Sequence, residues 1–280
     1  MKSGARRRLD TELVRRGLIA NRQDAQAAIE AGLVVVAGSP ADKSARLVAP
    51  DEAVVVLGPP ARFVSRGGLK LEAALDRFSV EVAGHRAIDA GASTGGFTDC
   101  LLQRGADHVY AVDVGHGQLH QRLRADGRVT VLERVNVRSL TPELLQERDG
   151  SFVACSLVTA DVSFISLTSV LPALCGPVSR QDAELVLLIK PQFEAGRAVV
   201  NRGKGVVRDP EVWVSTLTKV LSALQAAGTG IMGVMVSPLT GPAGNVEFLT
   251  HARKGAEPVD PAALGDTVAS VVDAAVGRAE

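Results

Sequence analysis

The sequence of 280 residues predicts an α/β domain with a mostly parallel sheet, preceded by a small α+β domain. From about Ala87 onward, short apolar runs alternate with helix-length segments, which is the pattern of strands joined by crossover helices. Before Pro59 the pattern indicates two short helices and a small hairpin instead. The hydrophobic content of 46% is sufficient for buried cores in both parts.

The small domain is predicted to span residues 1–60. Asp10 or Thr11 is expected to cap its first helix and Asn21 its second, and strands at 33–36 and 53–57 complete it. A linker at residues 61–85, which carries Lys70, is expected to lead into the large domain at 86–256. Residues 257–280 then form a variable tail with a weakly amphipathic helix.

Seven strands and five helices are expected in the large domain. The predicted strands are Ala87–Asp89, Val109–Asp113, Val129–Glu133, Leu157–Ala160, Leu185–Ile189, Ile231–Val236 and Glu247–Thr250. The predicted helices are Gly96–Arg104, Leu119–Arg124, Pro142–Glu147, Ser166–Leu174 and Glu211–Ala226. The segment 192–209 is rich in Gly and Arg without a clear period, and structureless segments of that length are usually functional.

Charge is distributed unevenly along the chain, although the formal net charge is zero. Residues 1–22 carry seven basic side chains against two acidic ones, and residues 255–280 are predominantly acidic. This asymmetry predicts contact with a polyanion at the N-terminal end. A solvated, disordered leader is the alternative interpretation.

Three cysteines lie far apart in apolar segments, which indicates buried thiols in a reducing compartment. The chain begins with polar residues, and its longest apolar runs fall short of the roughly 20 residues that span a bilayer. We therefore expect a cytoplasmic protein without a membrane partner. His116 and His120 are four residues apart but lack a third ligand, so no metal is expected.

A glycine-rich loop, Asp89-Ala90-Gly91-Ala92-Ser93-Thr94-Gly95-Gly96-Phe97, follows a predicted strand and opens a helix. Its glycines permit a tight turn and the close approach of a ligand to the backbone. The dinucleotide fingerprint requires glycine where Ser93 stands, which disfavours a nicotinamide-dependent oxidoreductase. Asp113 ends the next strand, a position that suits contact with a ribose hydroxyl.

Charged residues stand at the ends of three other predicted strands. Asp161 and Lys190 each follow an apolar strand, and Glu247 opens the last one. Because the carboxyl ends of parallel strands lie along one edge, we expect these residues to meet at a ligand site. A lysine there can accept a proton from a weakly acidic hydroxyl. Singly, each residue also fits an ordinary ion pair; together with the glycine loop they favour a catalytic site.

The order Lys70, glycine loop, Asp161, Lys190, Glu247 resembles the Lys-Asp-Lys-Glu tetrad of FtsJ-type RNA ribose methyltransferases. The segment 21–34 is similar to the αL-type RNA-binding domain of a ribosomal protein. Their fusion in one chain resembles the TlyA family, also labelled hemolysin A, over roughly residues 8–254. The resemblance implies a Rossmann-like class I methyltransferase, dependent on S-adenosylmethionine, that methylates cytidine 2′-hydroxyls in ribosomal RNA.

The resemblance also assigns roles to residues, with Lys190 as general base and ribosomal RNA or ribosomal subunits as partners. The implied catalytic residues are Lys70, Asp161, Lys190 and Glu247. The implied cofactor-binding residues are Asp89, Gly91, Ser93, Gly95, Gly96, Phe97, Asp113, Asn136 and Asp161. The RNA-binding residues expected from charge and position are Arg6, Arg7, Arg8, Arg22, Arg66, Arg197, Arg202 and Lys204.

Two further function classes compete with this interpretation. A membrane-lytic hemolysin is suggested by the older family label, but the sequence has no apolar span and no evident long basic amphipathic helix. A non-catalytic RNA-binding ribosome factor would lack the tetrad, which this sequence carries in full.

Overall fold

The computed structural model describes residues 6–58, 61–196, 199–200, 203 and 205–279. The chain divides into two compact units, residues 1–65 and 66–280, each with its own core. Three of the predicted RNA contacts lie outside the described residues: Arg197, Arg202 and Lys204. The predicted boundary at Pro59-Pro60 also falls outside them.

The first unit packs two short helices, α1 (Leu9–Arg15) and α2 (Arg22–Glu30), with small antiparallel sheets. Its strands are β1 (Arg7–Arg8), β2 (Val34–Val36), β3 (Ser39–Pro40), β4 (Leu47–Val48) and β5 (Val54–Val56). The predicted pairing of β2 with β5 is present, and β3 extends it to the order β3-β2-β5. β1 pairs separately with β4, so the unit holds more sheet than a single hairpin.

Asn21 caps α2 as predicted, because its side chain accepts a hydrogen bond from the backbone N–H of Asp24 at 2.9 Å. The expected cap of α1 by Asp10 or Thr11 is wrong, since the helix already begins at Leu9. Asp10 is fully buried in the first turn, where its carboxylate accepts hydrogen bonds from the Arg8 and Arg22 guanidinium groups. The Asp10 carboxylate thus forms ion pairs with Arg8 and Arg22 and does not act as the N-cap of the helix.

Two buried carboxylates, Asp10 and Glu12, organise an arginine cluster in this unit. Its members are Arg7, Arg8, Arg15, Arg16 and Arg22. Hydrogen bonds from Arg15 and Arg16 hold the pKa of Glu12 down to about 2, and those from Arg8 and Arg22 lower the pKa of Asp10 still further. Arg16 also donates to the backbone carbonyls of Ala49 and Glu52, which makes it a structural residue.

The second unit is built on the predicted seven-stranded, mostly parallel sheet. Its strands are β6 (Arg86–Ala90), β7 (His108–Asp113), β8 (Val129–Glu133), β9 (Cys155–Ala160), β10 (Ser179–Ile189), β11 (Thr229–Val236) and β12 (Phe248–Lys254). The spatial order is β11-β12-β10-β9-β6-β7-β8, and β12 runs antiparallel to both β10 and β11. The order reverses at β6, so the carboxyl end of that strand is the expected ligand crevice.

Eight α-helices of the second unit can be given bounds among the described residues. They are α3 (Gly67–Phe78), α4 (Gly96–Gln103), α5 (Gln121–Arg124), α6 (Pro142–Asp149), α7 (Leu171–Leu174), α8 (Pro191–Glu194), α9 (Pro210–Ala226) and α10 (Pro261–Ala279). The single helix predicted at 166–174 is instead a 3₁₀ turn, Leu167–Ser169, followed by α7. Pro172 lies in the first turn of α7, where proline favours a helix start.

Two helices changed the expected organisation. The segment predicted as a linker contains α3, whose start at Gly67-Gly68 is unfavourable for helix by propensity alone. The terminal helix α10 was predicted, but as part of a variable tail. It packs against α9 and β11 and buries Leu264, Val268 and Val272 in the main core. The C-terminal segment is therefore part of the folded unit.

Buried side chains of the core confirm two smaller expectations, one for Trp213 and one for the cysteines. Trp213 is buried and donates its indole N–H to the Val207 carbonyl oxygen at 3.2 Å. Cys100, Cys155 and Cys175 are buried, as expected from their apolar segments. Within the part of the chain that the structure describes, no helix is long and apolar enough to cross a membrane.

We expect Asp10→Ala to loosen the first unit, because it removes the acceptor shared by two half-exposed guanidinium groups. The loss should be about 1–2 kcal/mol, since hydrogen bonds to charged groups are strong but solvent screens the arginines. Hydrogen exchange on the full chain should show faster exchange in α1 and α2 and unchanged exchange in β9. The exposed Asp42→Asn is the control, and equal protection in both variants would contradict the role of Asp10.

Candidate active site

Strand register brings the charged strand-end residues to one edge of the sheet. Ala160 of β9 pairs with Leu187 of β10, and Ile189 lies opposite Phe248 of β12. Asp161 and Lys190 therefore leave the carboxyl ends of adjacent strands. Glu247 directly precedes β12, which begins one residue later than predicted, and stands beside the end of β10. All three residues thus stand at the edge of the sheet where the sequence analysis expects them.

Lys70 reaches this edge from α3 and pairs with Glu247. Its Nζ lies 2.5 Å from Glu247 Oε2, and the side chains are only 9% and 1% exposed. Removing one partner of such a buried pair leaves an uncompensated charge, which typically costs about 3–5 kcal/mol. The pair therefore fixes α3 against the start of β12.

Lys190 forms a second ion pair at the same edge. Its Nζ lies 2.5 Å from Asp161 Oδ1 and donates a hydrogen bond to Ser163 Oγ at 2.9 Å. The ammonium is also 5.8 Å from the centre of the Phe193 ring, within range of a cation–π interaction. The Lys190 side chain is 11% exposed, so a small part of it remains accessible.

Ser163 and Phe164, which sequence analysis did not single out, belong to the same site. Phe164 is 93% exposed, has a left-handed backbone with φ of +64°, and lies 5.3 Å from the Phe193 ring, centre to centre. An exposed aromatic ring on a strained backbone is typical of a functional position. No sequence signal marks it, because its exposure depends on the path of the loop after β9.

Two glycines of the glycine-rich loop are required by the protein's own packing. Gly91 has a φ of +86°, and a Cβ there would lie 2.6 Å from the Asp161 carbonyl oxygen. Gly95 has a φ of +98°, and its Cβ would lie 2.2 Å from Leu123 Cδ1 and 2.9 Å from Leu119 Cδ1. The space into which a side chain at these two positions would point is filled by the chain itself. A larger residue at position 95 would therefore strain the fold.

Five of the predicted cofactor residues line one cavity of about 650 Å³. They are Gly91, Ser93, Asp113, Asn136 and Asp161. Of the others, Phe97 is 3% exposed, Gly95 contacts the leucines, and Gly96 begins α4. The apolar wall, which sequence analysis missed, includes Val114, Val137, Val162 and Ile165.

Asp113 connects the glycine loop to the end of β7. Its Oδ2 accepts from the Ser93 backbone N–H at 2.8 Å, and its Oδ1 accepts from that of Gly115 at 2.7 Å. Asn136 accepts from the backbone N–H of Arg138 at 3.0 Å and so caps a 3₁₀ turn. Both polar side chains are thus held in place at the cavity wall.

Asp89 is a fully buried acid at the end of β6. Thr98 Oγ1 donates to its Oδ2 at 2.6 Å, and Oδ1 has no hydrogen-bond partner among the described residues. Burial, aided by the nearby charge of Asp161, raises the pKa of Asp89 to about 7. A buried oxygen without a partner is unusual in a folded protein, and Oδ1 therefore has an unused capacity to accept a hydrogen bond.

The predicted RNA-binding arginines that the structure describes fall into two groups. Arg6, Arg7, Arg8 and Arg22 are exposed in the first unit. Arg66 is half-buried at the N-cap position of α3. Within the described residues, no group of three or more His, Cys, Asp or Glu side chains is arranged to hold a metal.

Comparison with known proteins assigns both units. The FtsJ-like methyltransferase family model matches residues 63–254, which is more than half of the chain. The chain belongs to the FtsJ-like methyltransferase family. The S4 domain model matches residues 7–54, within the first unit. The predicted Rossmann-like methyltransferase fold with a preceding α+β RNA-binding domain is confirmed.

Relatives of this FtsJ-like chain share both units. The 16S/23S rRNA (cytidine-2′-O)-methyltransferase TlyA of Mycobacterium tuberculosis is 51% identical over 249 residues, 89% of this chain and 90% of the relative. Hemolysin A of Brachyspira hyodysenteriae is 38% identical over 244 residues, 87% of this chain and 98% of the relative. The solved structure of a "putative hemolysin" from Streptococcus thermophilus has a TM-score of 0.76, 38% identity and 99% coverage of both chains. The resemblance to the TlyA family is confirmed.

The chain is an S-adenosylmethionine-dependent methyltransferase, which confirms the enzyme prediction over the non-catalytic alternative. The cavity fits this cofactor. Its valine and isoleucine wall suits a flat base, and the Asp113 and Asp161 carboxylates suit ribose hydroxyls and a positively charged sulfonium.

We expect the stability contribution of Asp89 to depend on pH. The unfolded chain releases this proton near pH 3.8 and the folded chain only near pH 7, so ionisation of Asp89 reduces stability as pH rises between these values. Asp89→Asn does not ionise. Its stability relative to wild type should therefore increase from pH 5 to pH 7 by about 1.4 kcal/mol per pH unit, and then level off. Urea unfolding at each pH measures this, and a constant difference would contradict the buried acid.

Proposed function

We propose that this chain transfers a methyl group from S-adenosylmethionine to the ribose 2′-hydroxyl of cytidine in ribosomal RNA. The relative from Mycobacterium tuberculosis carries that activity in its name and covers both units of this chain. The observation that carries the proposal is the position of Lys190, whose Nζ contacts Asp161 and Ser163 at the wall of the cofactor cavity. Its substrate would make the cytoplasm its place of action.

Each residue of the site has its own role in this reaction. S-adenosylmethionine supplies a methyl group on a strongly electrophilic sulfonium, so the protein has to align the partners and remove one proton. Lys190 in its neutral form accepts the proton of the 2′-hydroxyl, and Asp161 and Ser163 hold its Nζ in place. The Lys70–Glu247 pair positions the ribose. Asp113, Asn136 and Asp161 hold the cofactor.

Phe164 offers a place for the base of the target nucleotide. Its ring is almost fully exposed and lies next to Phe193, which in turn faces Lys190. Bases taken out of a helix are commonly stacked on aromatic side chains. The ring therefore supports a nucleotide substrate presented beside the general base.

The first unit supplies RNA affinity. The cluster arginines Arg7, Arg8, Arg15 and Arg22 are 44–57% exposed while paired with buried carboxylates, so their guanidinium groups are ordered yet accessible. Arginine forks of this kind match phosphate oxygens. In the first unit the proposed RNA surface is this cluster together with Arg6. Arg66 of the second unit is a separate proposed RNA contact, as are Arg197, Arg202 and Lys204, which lie outside the described residues.

The direct test maps 2′-O-methyl groups in ribosomal RNA. Purified small and large subunits, and the naked RNA from each, are incubated with the protein and S-adenosylmethionine. A new 2′-O-methylcytidine at a defined position is the expected result. Absence of methylation on all four substrates would overturn the proposal.

Lys190→Arg should slow single-turnover methyl transfer by roughly 10²-fold or more, because arginine keeps the charge but cannot release its proton. Lys190→Ala should be similarly slow, with cofactor and RNA affinities little changed. Near wild-type transfer by Lys190→Arg would mean that the proton leaves by another route.

The double variant Arg7→Gln, Arg8→Gln should weaken RNA binding and reduce the salt slope of log Kd by about 1 for each phosphate that the protein no longer neutralises. Cofactor affinity should not change. Filter binding at several salt concentrations measures the slope, and Arg148→Gln in α6 is the control for removal of a surface charge. A slope equal to that of wild type would show that the arginine cluster does not contact phosphate.

A further inference from the structure

Glu194 is a buried carboxylate close to the site whose role the proposed mechanism does not use. It ends α8, the short helix that begins directly after Lys190, and its side chain is 2% exposed. Buried carboxylates are rare unless their oxygens are satisfied, so its partners indicate what it stabilises.

Both oxygens of Glu194 accept hydrogen bonds from the segment that follows β9. Oε2 accepts from the Ser166 hydroxyl at 2.5 Å, and Oε1 accepts from the backbone N–H of Leu167 at 2.5 Å. From α9, Lys219 donates to the Glu194 carbonyl oxygen at 3.2 Å, and its Nζ is 3.7 Å from Oε2. Glu194 therefore joins the Lys190 side of the site to the loop at residues 161–167.

That loop is attached to the Lys190 side at both of its ends. Near its start, Asp161 and Ser163 contact Lys190 Nζ; at its end, Ser166 and Leu167 contact Glu194. Between these attachments lies Phe164 with its left-handed backbone. Strained backbone of this kind persists only where the surrounding contacts hold it.

We propose that Glu194 is a positioning residue for methyl transfer: it holds the 161–167 loop so that Ser163 stays on Lys190 Nζ and Phe164 keeps its exposed conformation. The inference rests on the proposed function, in which Lys190 takes the proton. Glu194 acts through Ser163 and Lys190 and touches no reacting atom. Without Glu194, the end of the loop would lose two hydrogen bonds, and Ser163 would no longer be fixed on Lys190 Nζ.

The cofactor side of the loop is held independently of Glu194. The Asp161 backbone N–H donates to the Ala90 carbonyl oxygen at 2.9 Å, and Gly91 packs against the Asp161 carbonyl. Loss of Glu194 should therefore affect the rate of methyl transfer far more than the binding of S-adenosylmethionine. A lower rate with unchanged cofactor affinity distinguishes a positioning role from disruption of the whole site.

The experiment compares Glu194→Ala with Glu194→Gln in the full chain. Alanine removes both hydrogen bonds, whereas the glutamine amide can accept from Leu167 N–H and donate to Ser166 Oγ. Single-turnover transfer to ribosomal RNA at saturating cofactor should fall about 10-fold to 100-fold in Glu194→Ala, the scale of a misplaced catalytic group. Glu194→Gln should stay within about 3-fold of wild type, and cofactor affinity should be retained in both.

Asp149→Asn is the matched control. Asp149 is likewise a carboxylate held by two donors, Tyr110 and Arg86, but at the opposite edge of the sheet. It should leave the transfer rate unchanged even if it lowers stability. Hydrogen exchange gives a readout without substrate: the Leu167 amide should exchange at least about 10-fold faster in Glu194→Ala, with β9 amides unchanged.

Three results would overturn the inference. They are a near wild-type rate in Glu194→Ala, a Glu194→Gln rate as low as that of alanine, and a loss of cofactor affinity equal to the loss of rate. The second would mean that only the charge of Glu194 matters.

Lys190→Arg, run in the same assay, separates the two proposals. If it is fast, the general base is wrong; if it is slow while Glu194→Ala is fast, only the role of Glu194 is wrong. Should Glu194→Ala not fold, Ser166→Ala removes one of the two bonds and should still slow transfer several-fold.

Discussion

The pairing of charged side chains withdrawn from water is the constraint on which this structure depends. A buried charge is tolerated only where its partner is delivered to the same place, since an unpaired one costs several kcal/mol. Lys70 and Glu247 are separated by 177 residues in the chain, yet their charged atoms lie 2.5 Å apart. The pair therefore requires that α3 and the start of β12 occupy their native places together. The Lys190–Asp161 pair likewise requires that the ends of β9 and β10 lie side by side.

In the first unit, buried carboxylates also pair with cations, but there the pairing orients arginines that remain accessible to solvent. Asp10 and Glu12 are withdrawn from solvent, and the arginines around them remain about half-exposed. Each carboxylate fixes the direction of guanidinium groups that would otherwise be mobile, which lowers the entropy lost when they contact an RNA phosphate. A chain with a net charge of zero thus presents an ordered cationic surface in one unit.

The site of the second unit is preorganised by backbone packing as much as by charge. Gly91 lets the end of β6 lie against the Asp161 carbonyl, and Gly95 lets the loop lie against the leucines of the following segment. The same backbone path places Asp113 and Asp161 on the wall of one cavity. Because methyl transfer from a sulfonium needs alignment more than activation, rigid placement of this kind is what the reaction requires of the protein.

The amino-acid sequence predicted the seven strands, most of the helices, and the edge of the sheet at which Asp161, Lys190 and Glu247 lie. It did so because hydrophobic period and strand-end position are local properties. The helix that carries Lys70 was not predicted, because it begins with two glycines, which disfavour a helix. The catalytic role of Lys70 was implied only by the family resemblance. The pairing of each lysine with its carboxylate is visible only in the folded structure. The same holds for the place of Ser163 and Glu194 in the site and for the exposure of Phe164. These contacts depend on strand register and loop path, which the whole fold sets and no single segment encodes.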